Sequence, residues 1–357
     1  MKKFYFFNDS LLIKNLLTKN LFAFLILIVF LLSHYACDTT ETIDNLTPGR
    51  RDYTWTVDTL NIPFTTLQRI WGSSPTDVWA IGPGGDLDKT IYHFDGVRWS
   101  TDGISRPLSP TTIFGFSTSN VWICGLGGDI WNYNGINFIK KTTITIPGYN
   151  FIGFEDIWGD APNNIYAVGF AQDGITFRSV IVKYDGISWK NIEAYEMRNS
   201  FIKIRRGEKT NKEYFISSAR EEQYAEDSSS IFRFDGTKLV KIYQGLRNSN
   251  EIAGIEIINS EMYFLKGSVL FKYVNNDFQF FLDVGEPSAF FGRSSKDIFL
   301  GKLNGIAHYN DTDVQYLYPF NDTGIRIFMG IVFEKEVFFL AYDVNKSLNL
   351  IIRGKLE

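Results

Sequence analysis

Leu67-Gln-Arg-Ile-Trp-Gly-Ser-Ser-Pro-Thr-Asp77-Val-Trp-Ala-Ile-Gly82, followed after a short loop by Ile91-Tyr-His-Phe-Asp95-Gly96-Val-Arg-Trp99, contains the plan of the whole chain. A short apolar run ends in a polar turn that closes on Asp77. A second apolar run then leads to a glycine-rich turn, a third run to Asp95-Gly96, and a fourth begins at Trp99. Runs of four to eight β-branched and aromatic residues separated by turn residues are strands. Four in succession with tight connections make an antiparallel meander.

The same grammar returns six more times. The residue opening the second strand recurs as Asp77, Asn120, Asn164, Glu213, Glu261, Asp297 and Glu336, at spacings of 43, 44, 49, 48, 36 and 39 residues. An apolar or aromatic pair follows each time, from Val78-Trp79 to Val337-Phe338. The third strand recurs from Ile91-Tyr-His-Phe94 to Ile306-Ala-His-Tyr309. Asp95-Gly96, Asn134-Gly135, Asp185-Gly186 and Asp235-Gly236 come after it, then Asn275-Asn276 and Asn310-Asp311 in later copies. Such pairs tolerate the positive φ of a two-residue hairpin turn. A period of roughly 40–50 residues is that of a propeller blade. The expected fold is all-β, a single seven-bladed β-propeller of four-stranded antiparallel blades, with six or eight blades as the alternatives.

The ends of the array fit a ring. The last copy stops after its third strand, at Leu350-Ile351-Ile352-Arg353-Gly354, while an orphan strand, Tyr53-Thr-Trp55-Thr-Val57-Asp-Thr-Leu60, precedes the first. An N-terminal strand completing the last blade would leave no bare sheet edge.

Trp71-Gly-Ser-Ser-Pro-Thr-Asp-Val-Trp-Ala-Ile-Gly82 with Tyr92-His-Phe-Asp-Gly-Val-Arg-Trp99, and Trp158-Gly-Asp-Ala-Pro-Asn-Asn-Ile-Tyr-Ala-Val-Gly169 with Lys183-Tyr-Asp-Gly-Ile-Ser-Trp189, resemble a repeat of large secreted or lipid-anchored bacterial proteins. The resemblance covers residues 67–190 and implies a β-propeller scaffold. It implies no activity.

Upstream of the repeat, Lys2, Lys3, Lys14 and Lys19 precede an uncharged apolar run from Leu21 to Leu32, then Ser33-His34-Tyr35-Ala36-Cys37. A short apolar run behind positive charge, ending at a small residue, is an export signal. It falls short of the roughly 20 residues that span a bilayer. Ala36-Cys37 resembles the cleavage site of bacterial lipoproteins, in which the cysteine is acylated, although His34 stands where that pattern prefers Leu. A plain secretory signal and an uncleaved anchor are the alternatives. The expected organisation is therefore a signal peptide over 1–36, an acylated Cys37 with a polar tether over 37–52, and the propeller over 53–357. Such a chain would be held at the bacterial cell envelope, at the outer membrane or cell surface.

Removing the first 36 residues leaves 32 basic against 39 acidic residues. With no basic cluster there is nothing to gain from counterion release on a polyanion, so nucleic acid is excluded as a partner. Cys124 lies in an apolar strand and reads as a small buried hydrophobe. His93 and His308 share a repeat position with Asn132, Lys183, Arg233 and Lys272, which reads as a solvent-facing strand site. No Cys/His spacing suggests zinc and no motif suggests a cofactor. The recurring Asp/Asn/Glu reads as a turn residue bonding its local backbone. The in-register tryptophans read as packing between blades.

Two functions fit this chain. The first is a non-catalytic, membrane-anchored scaffold binding a protein or glycan. The second is a glycan-cleaving propeller with its site in the central channel. Their discriminator is the charged insertion of the fourth copy, Arg205-Arg206 to Arg220-Glu221-Glu222-Gln-Tyr-Ala-Glu226-Asp227. It reads as a solvated hairpin loop. In an enzyme, Glu221, Glu222, Glu226 or Asp227 would have to approach an acid of another blade.

Overall fold

The computed structural model describes residues 47–174, 176–192, 199–208, 213–220, 229–245 and 253–357. The signal-like segment, Cys37 and the acids Glu221, Glu222, Glu226 and Asp227 lie outside them. The described residues contain no helix.

β1 (Tyr53–Leu60) is followed by meanders of four strands. The first unit is β2 (Arg69–Ser74), β3 (Asp77–Ile81), β4 (Ile91–Phe94) and β5 (Trp99–Ser100); the second is β6 (Ser109–Ser117), β7 (Asn120–Leu126), β8 (Asp129–Tyr133) and β9 (Phe138–Thr143). The third is β10 (Phe151–Ala161), β11 (Asn164–Asp173), β12 (Thr176–Tyr184) and β13 (Trp189–Ile192), joined to the second by a single bridge between Gly153 and Leu126. The fourth is β14 (Asn199–Arg205), β15 (Tyr214–Arg220), β16 (Ser230–Phe234) and β17 (Leu239–Gln244). The fifth is β18 (Ala253–Ile258), β19 (Glu261–Lys266), β20 (Val269–Val274) and β21 (Asp277–Asp283). The sixth is β22 (Ala289–Ser294), β23 (Asp297–Lys302), β24 (Gly305–Tyr309) and β25 (Val314–Pro319). The last three strands, β26 (Ile325–Val332), β27 (Glu336–Asp343) and β28 (Leu348–Leu356), take β1 as their fourth, paired antiparallel from Tyr53 opposite Leu356 to Leu60 opposite Asn349.

First strands of successive units lie against one another: β2 on β6, β6 on β10, β10 on β14, β14 on β18, β18 on β22, β22 on β26, and β26 on β2. The two landmarks of the repeat meet across these interfaces. The aromatic two residues into the second strand packs on the aromatic ending the next unit's third strand: Trp79 on Tyr133 at 5.0 Å, Trp122 on Tyr184 at 5.1 Å, Tyr166 on Phe234 at 6.0 Å, Phe215 on Tyr273 at 4.8 Å and Phe338 on Phe94 at 6.0 Å between ring centroids. Each such pair adds about 0.5–1.5 kcal/mol beyond the area it buries. Neither landmark can be moved without losing the other.

The Trp-Gly dipeptide has the same logic. A Cβ on Gly115 would meet the Trp71 ring at 2.6 Å, one on Gly159 would meet Phe116 at 3.0 Å, and one on Gly72 would meet Phe333 at 3.0 Å. Each bare strand seats a ring from the preceding unit, so Trp71 packs between units as its register suggested.

Three expectations are corrected. Asp95-Gly96 and its counterparts are not two-residue hairpins: Phe94 pairs with Trp99 across a four-residue loop, and only the glycine has positive φ. The Asp95 carboxylate accepts the Val97 and Arg98 N–H groups, which stabilises the longer loop. Asn275-Asn276, both at positive φ, do form the two-residue turn. The histidine position is not solvent-facing: His308 is fully buried and Asn132 nearly so. Finally, the acid opening the second strand bonds mainly across to that third-strand position rather than to its turn. Asp77 meets His93 (2.6 Å), Asn120 meets Asn132 (3.0 Å), Glu261 meets Lys272 (3.0 Å), Asp297 meets His308 (2.7 Å), and Glu213 meets Arg233 (3.4 Å). In the last unit Glu336 takes Arg353 (2.7 Å). The third unit departs, with Lys183 over the Tyr166 ring and Asn164 on Tyr214.

Candidate functional site

The first strands enclose a cavity of about 550 Å³. Consecutive residues of these strands line it, among them Arg69 to Gly72 and Ala289 to Gly292. One register around it is occupied by Trp71, Phe114, Trp158, Arg205, Glu256, Phe291 and Ile331, the residues opposite Trp79, Trp122, Tyr166, Phe215, Tyr263, Phe299 and Phe338. Two neighbouring units thus put an ion pair where the others put apolar side chains. Arg205, expected in a solvated loop, belongs to β14 and lines the cavity instead.

The charged sector is a connected network. The Arg205 guanidinium donates to Asp156 (2.5 Å) and to Glu256 (3.2 Å), and Lys203 also donates to Glu256. Asp156 further accepts the Ile204 N–H at 2.9 Å, a bond between units. Burial pushes the Glu256 carboxyl up, but Lys203 and Arg205 outweigh it and hold it below the ordinary range. Burial likewise works against the Arg205 cation, and its two carboxylates restore and raise it. These acids are locked as acceptors.

Glu155 stands apart. It occupies the bulge of β10 between Phe154 and Asp156, and 26% of its side chain is exposed. Burial raises its carboxyl above the ordinary value; Arg69, 3.8 Å away, offsets only part of that. The Arg69 guanidinium otherwise reaches only backbone carbonyls, those of Gln68 (3.3 Å) and Glu155 (3.4 Å). Arg69, which lines the cavity with Trp71, Phe114 and Trp158, therefore forms a loose, partly solvated pair with Glu155. Glu155 had no sequence signal, because the bulge it occupies carries dissimilar residues in other units, Thr111, Ile202 and Phe328.

The cavity is amphiphilic. Phe290, Phe328, Met329 and Phe333 line it together with the ion network. Such a site suits a ligand with both an apolar body and polar groups. Cys124 is buried and free, with its thiol pushed well up by burial, and is not part of it.

No known protein family profile matches the chain, and no curated protein does. Solved structures do. YCF48 bound to D1 peptide superposes with a TM-score of 0.56 at 13% identity, covering 87% of this chain and 99% of that one. The WD40 β-propeller domain of Doa1 gives 0.57 at 10% identity, covering 84% and 97%. The extracellular domain of the putative one component system BT4673 from B. thetaiotaomicron gives 0.56 at 10% identity, covering 84% of this chain and 40% of that one. The fold is a β-propeller.

Proposed function

We propose that this chain is a seven-bladed propeller, closed by β1 as the outer strand of its last blade, that acts at the bacterial cell envelope as a non-catalytic binding scaffold. Its export signal over 1–36, acylation at Cys37 and tether over 37–52 follow from the sequence reading. Its ligand is a polypeptide, bound at the amphiphilic mouth of the central channel against Arg69, Trp71 and Trp158. Propellers similar to it in fold include one solved with a bound peptide and the extracellular domain of a putative one component system.

The observation that carries this reading is the state of the channel acids. A glycosidase needs one carboxyl free to give a proton and another free to attack or activate water. Here Asp156 and Glu256, the two carboxylates among the described lining residues, both accept from Arg205. Side chains that already satisfy one another favour recognition over proton transfer.

Peptide and glycan arrays probed with the purified chain, with hydrolysis of the same glycans followed in parallel, test it. The expected result is retention of particular peptides with no turnover. Turnover abolished by neutralising Glu221, Glu222, Glu226 and Asp227 would establish the glycan-cleaving alternative instead.

A further inference from the structure

The turns joining third to fourth strands carry an aliphatic side chain at their tips in three successive units: Val97, Ile136 and Ile187. They are 87%, 85% and 91% exposed, far more than the strand aliphatics around them. All occupy one turn position, two residues beyond Asp95, Asn134 and Asp185, whose carboxylate or amide oxygens accept the two following backbone N–H groups. The aspartate charges are thereby turned into the loops, and the aliphatic groups are left outermost.

The N-terminal segment reaches the propeller at this same face. In an antiparallel meander the first-to-second and third-to-fourth turns share one end of the sheet. Gly49 N–H donates to Lys296 O, in the first-to-second turn of the sixth unit, at 2.8 Å. Arg51 donates to Asp313, in that unit's third-to-fourth turn, at 2.7 Å. β1 starts opposite Leu356, beside Lys355 and its partner Glu336 at the β26–β27 turn. Residues 49–52, the end of the expected tether, are thus docked on the turn face. Only Asp38–Pro48 remain to link Gly49 on that face to Cys37, at most about 40 Å of extended chain.

We propose that the face bearing Val97, Ile136 and Ile187 lies on the lipid bilayer that holds Cys37, with the three tips dipping into its interface. The inference rests on the anchored reading above. Single aliphatic groups separated by whole units form no groove for a protein partner, whose interface is a continuous packed patch. A bilayer accepts isolated apolar side chains at headgroup depth. The opposite face supplies the control: Phe64, 94% exposed, follows the other end of β1 and has no counterpart in register.

Full-length acylated protein in phosphatidylethanolamine–phosphatidylglycerol vesicles tests this. Cys124 is buried and Cys37 blocked, so Ile136→Cys, Ile187→Cys or Phe64→Cys offers one thiol for a spin label. Accessibility to oxygen relative to a water-soluble nickel chelate is expected to rise several-fold on vesicle addition at 136 and 187, and to stay unchanged at 64. Labels at 136 and 187 that stay aqueous on protein that floats with the vesicles would overturn the docking face and leave the anchor intact. A protein that does not float would overturn both.

Discussion

The fully buried imidazole of His308 places its Nε2 2.7 Å from a carboxylate oxygen of Asp297, while its Nδ1 faces the Nε of Arg51 at 3.4 Å. A neutral ring with its proton on Nε2 satisfies both neighbours, donating to the acid and accepting from the guanidinium. The repeat's acid and its third-strand partner thus fix the N-terminal segment to the sixth unit.

Asp297 makes stability depend on pH in a definite sense. Burial raises its carboxyl, but the His308 hydrogen bond and the Arg293 charge outweigh that and hold it below the ordinary 3.8. Its contribution is complete above the unfolded value and is lost as pH falls through the folded one. Denaturation midpoints of the natural chain and Asp297→Asn are expected to differ at pH 7 and to converge only as the pH falls below 3.8 and through the folded carboxyl's own value. His308→Leu, which removes one of the acid's donors and leaves Arg293 as the other, is expected to cost about 1–3 kcal/mol.

Arg205 is the keystone of the channel network. Arg205→Met strands Asp156 and Glu256 together, and loss of one partner from a buried ion cluster costs about 3–5 kcal/mol. Urea denaturation is expected to show that loss. The triple variant Arg205→Met, Asp156→Asn, Glu256→Gln is expected to recover much of it, because the buried carboxylates are then uncharged and only the part-exposed Lys203 is left without its partner.

Gly115 is defined by what lies on it. A valine there would be driven into the Trp71 ring and the Asn120 carbonyl, and overpacking of this kind costs about 1–3 kcal/mol. Combining Gly115→Val with Trp71→Ala is expected to cost less than the sum of the two single changes in a double-mutant cycle.

β1 completes its sheet from the far end of the chain. A variant lacking Tyr53–Leu60 bares the edge of β28, and exposed edges recruit other strands. Size-exclusion chromatography is expected to show association or aggregation where the full chain elutes as a single species.

The propeller was legible because each landmark is half of a contact made between units. Trp79 and Tyr133 belong to different copies, and the period is the distance that brings them together. The strand N-terminal to the first copy was legible for the same reason, since the last copy lacked one. The channel was not. Arg205 and Glu256 stand in register with Trp71 and Trp158, and a position that breaks the repeat once in each of two units looks like divergence. Their meaning appears only when β14 and β18 lie side by side. Glu155 was hidden more completely, at a recurring bulge whose other occupants, Thr111, Ile202 and Phe328, share no chemistry with it. The turn and histidine positions were misread because substitution among His, Asn, Lys and Arg mimics a tolerant surface. All but Lys183 in fact answer an acid or amide across the strand.

The channel as a peptide-binding mouth is tested most directly by titration calorimetry with an array-selected peptide against the natural chain, Arg69→Ala and Trp158→Ala. Both residues are part-exposed, so urea midpoints near that of the natural chain certify the fold. Affinity at least about tenfold weaker in each variant, roughly 1.4 kcal/mol, is the expected result. Unchanged affinity in both would contradict it and move the binding surface away from the channel.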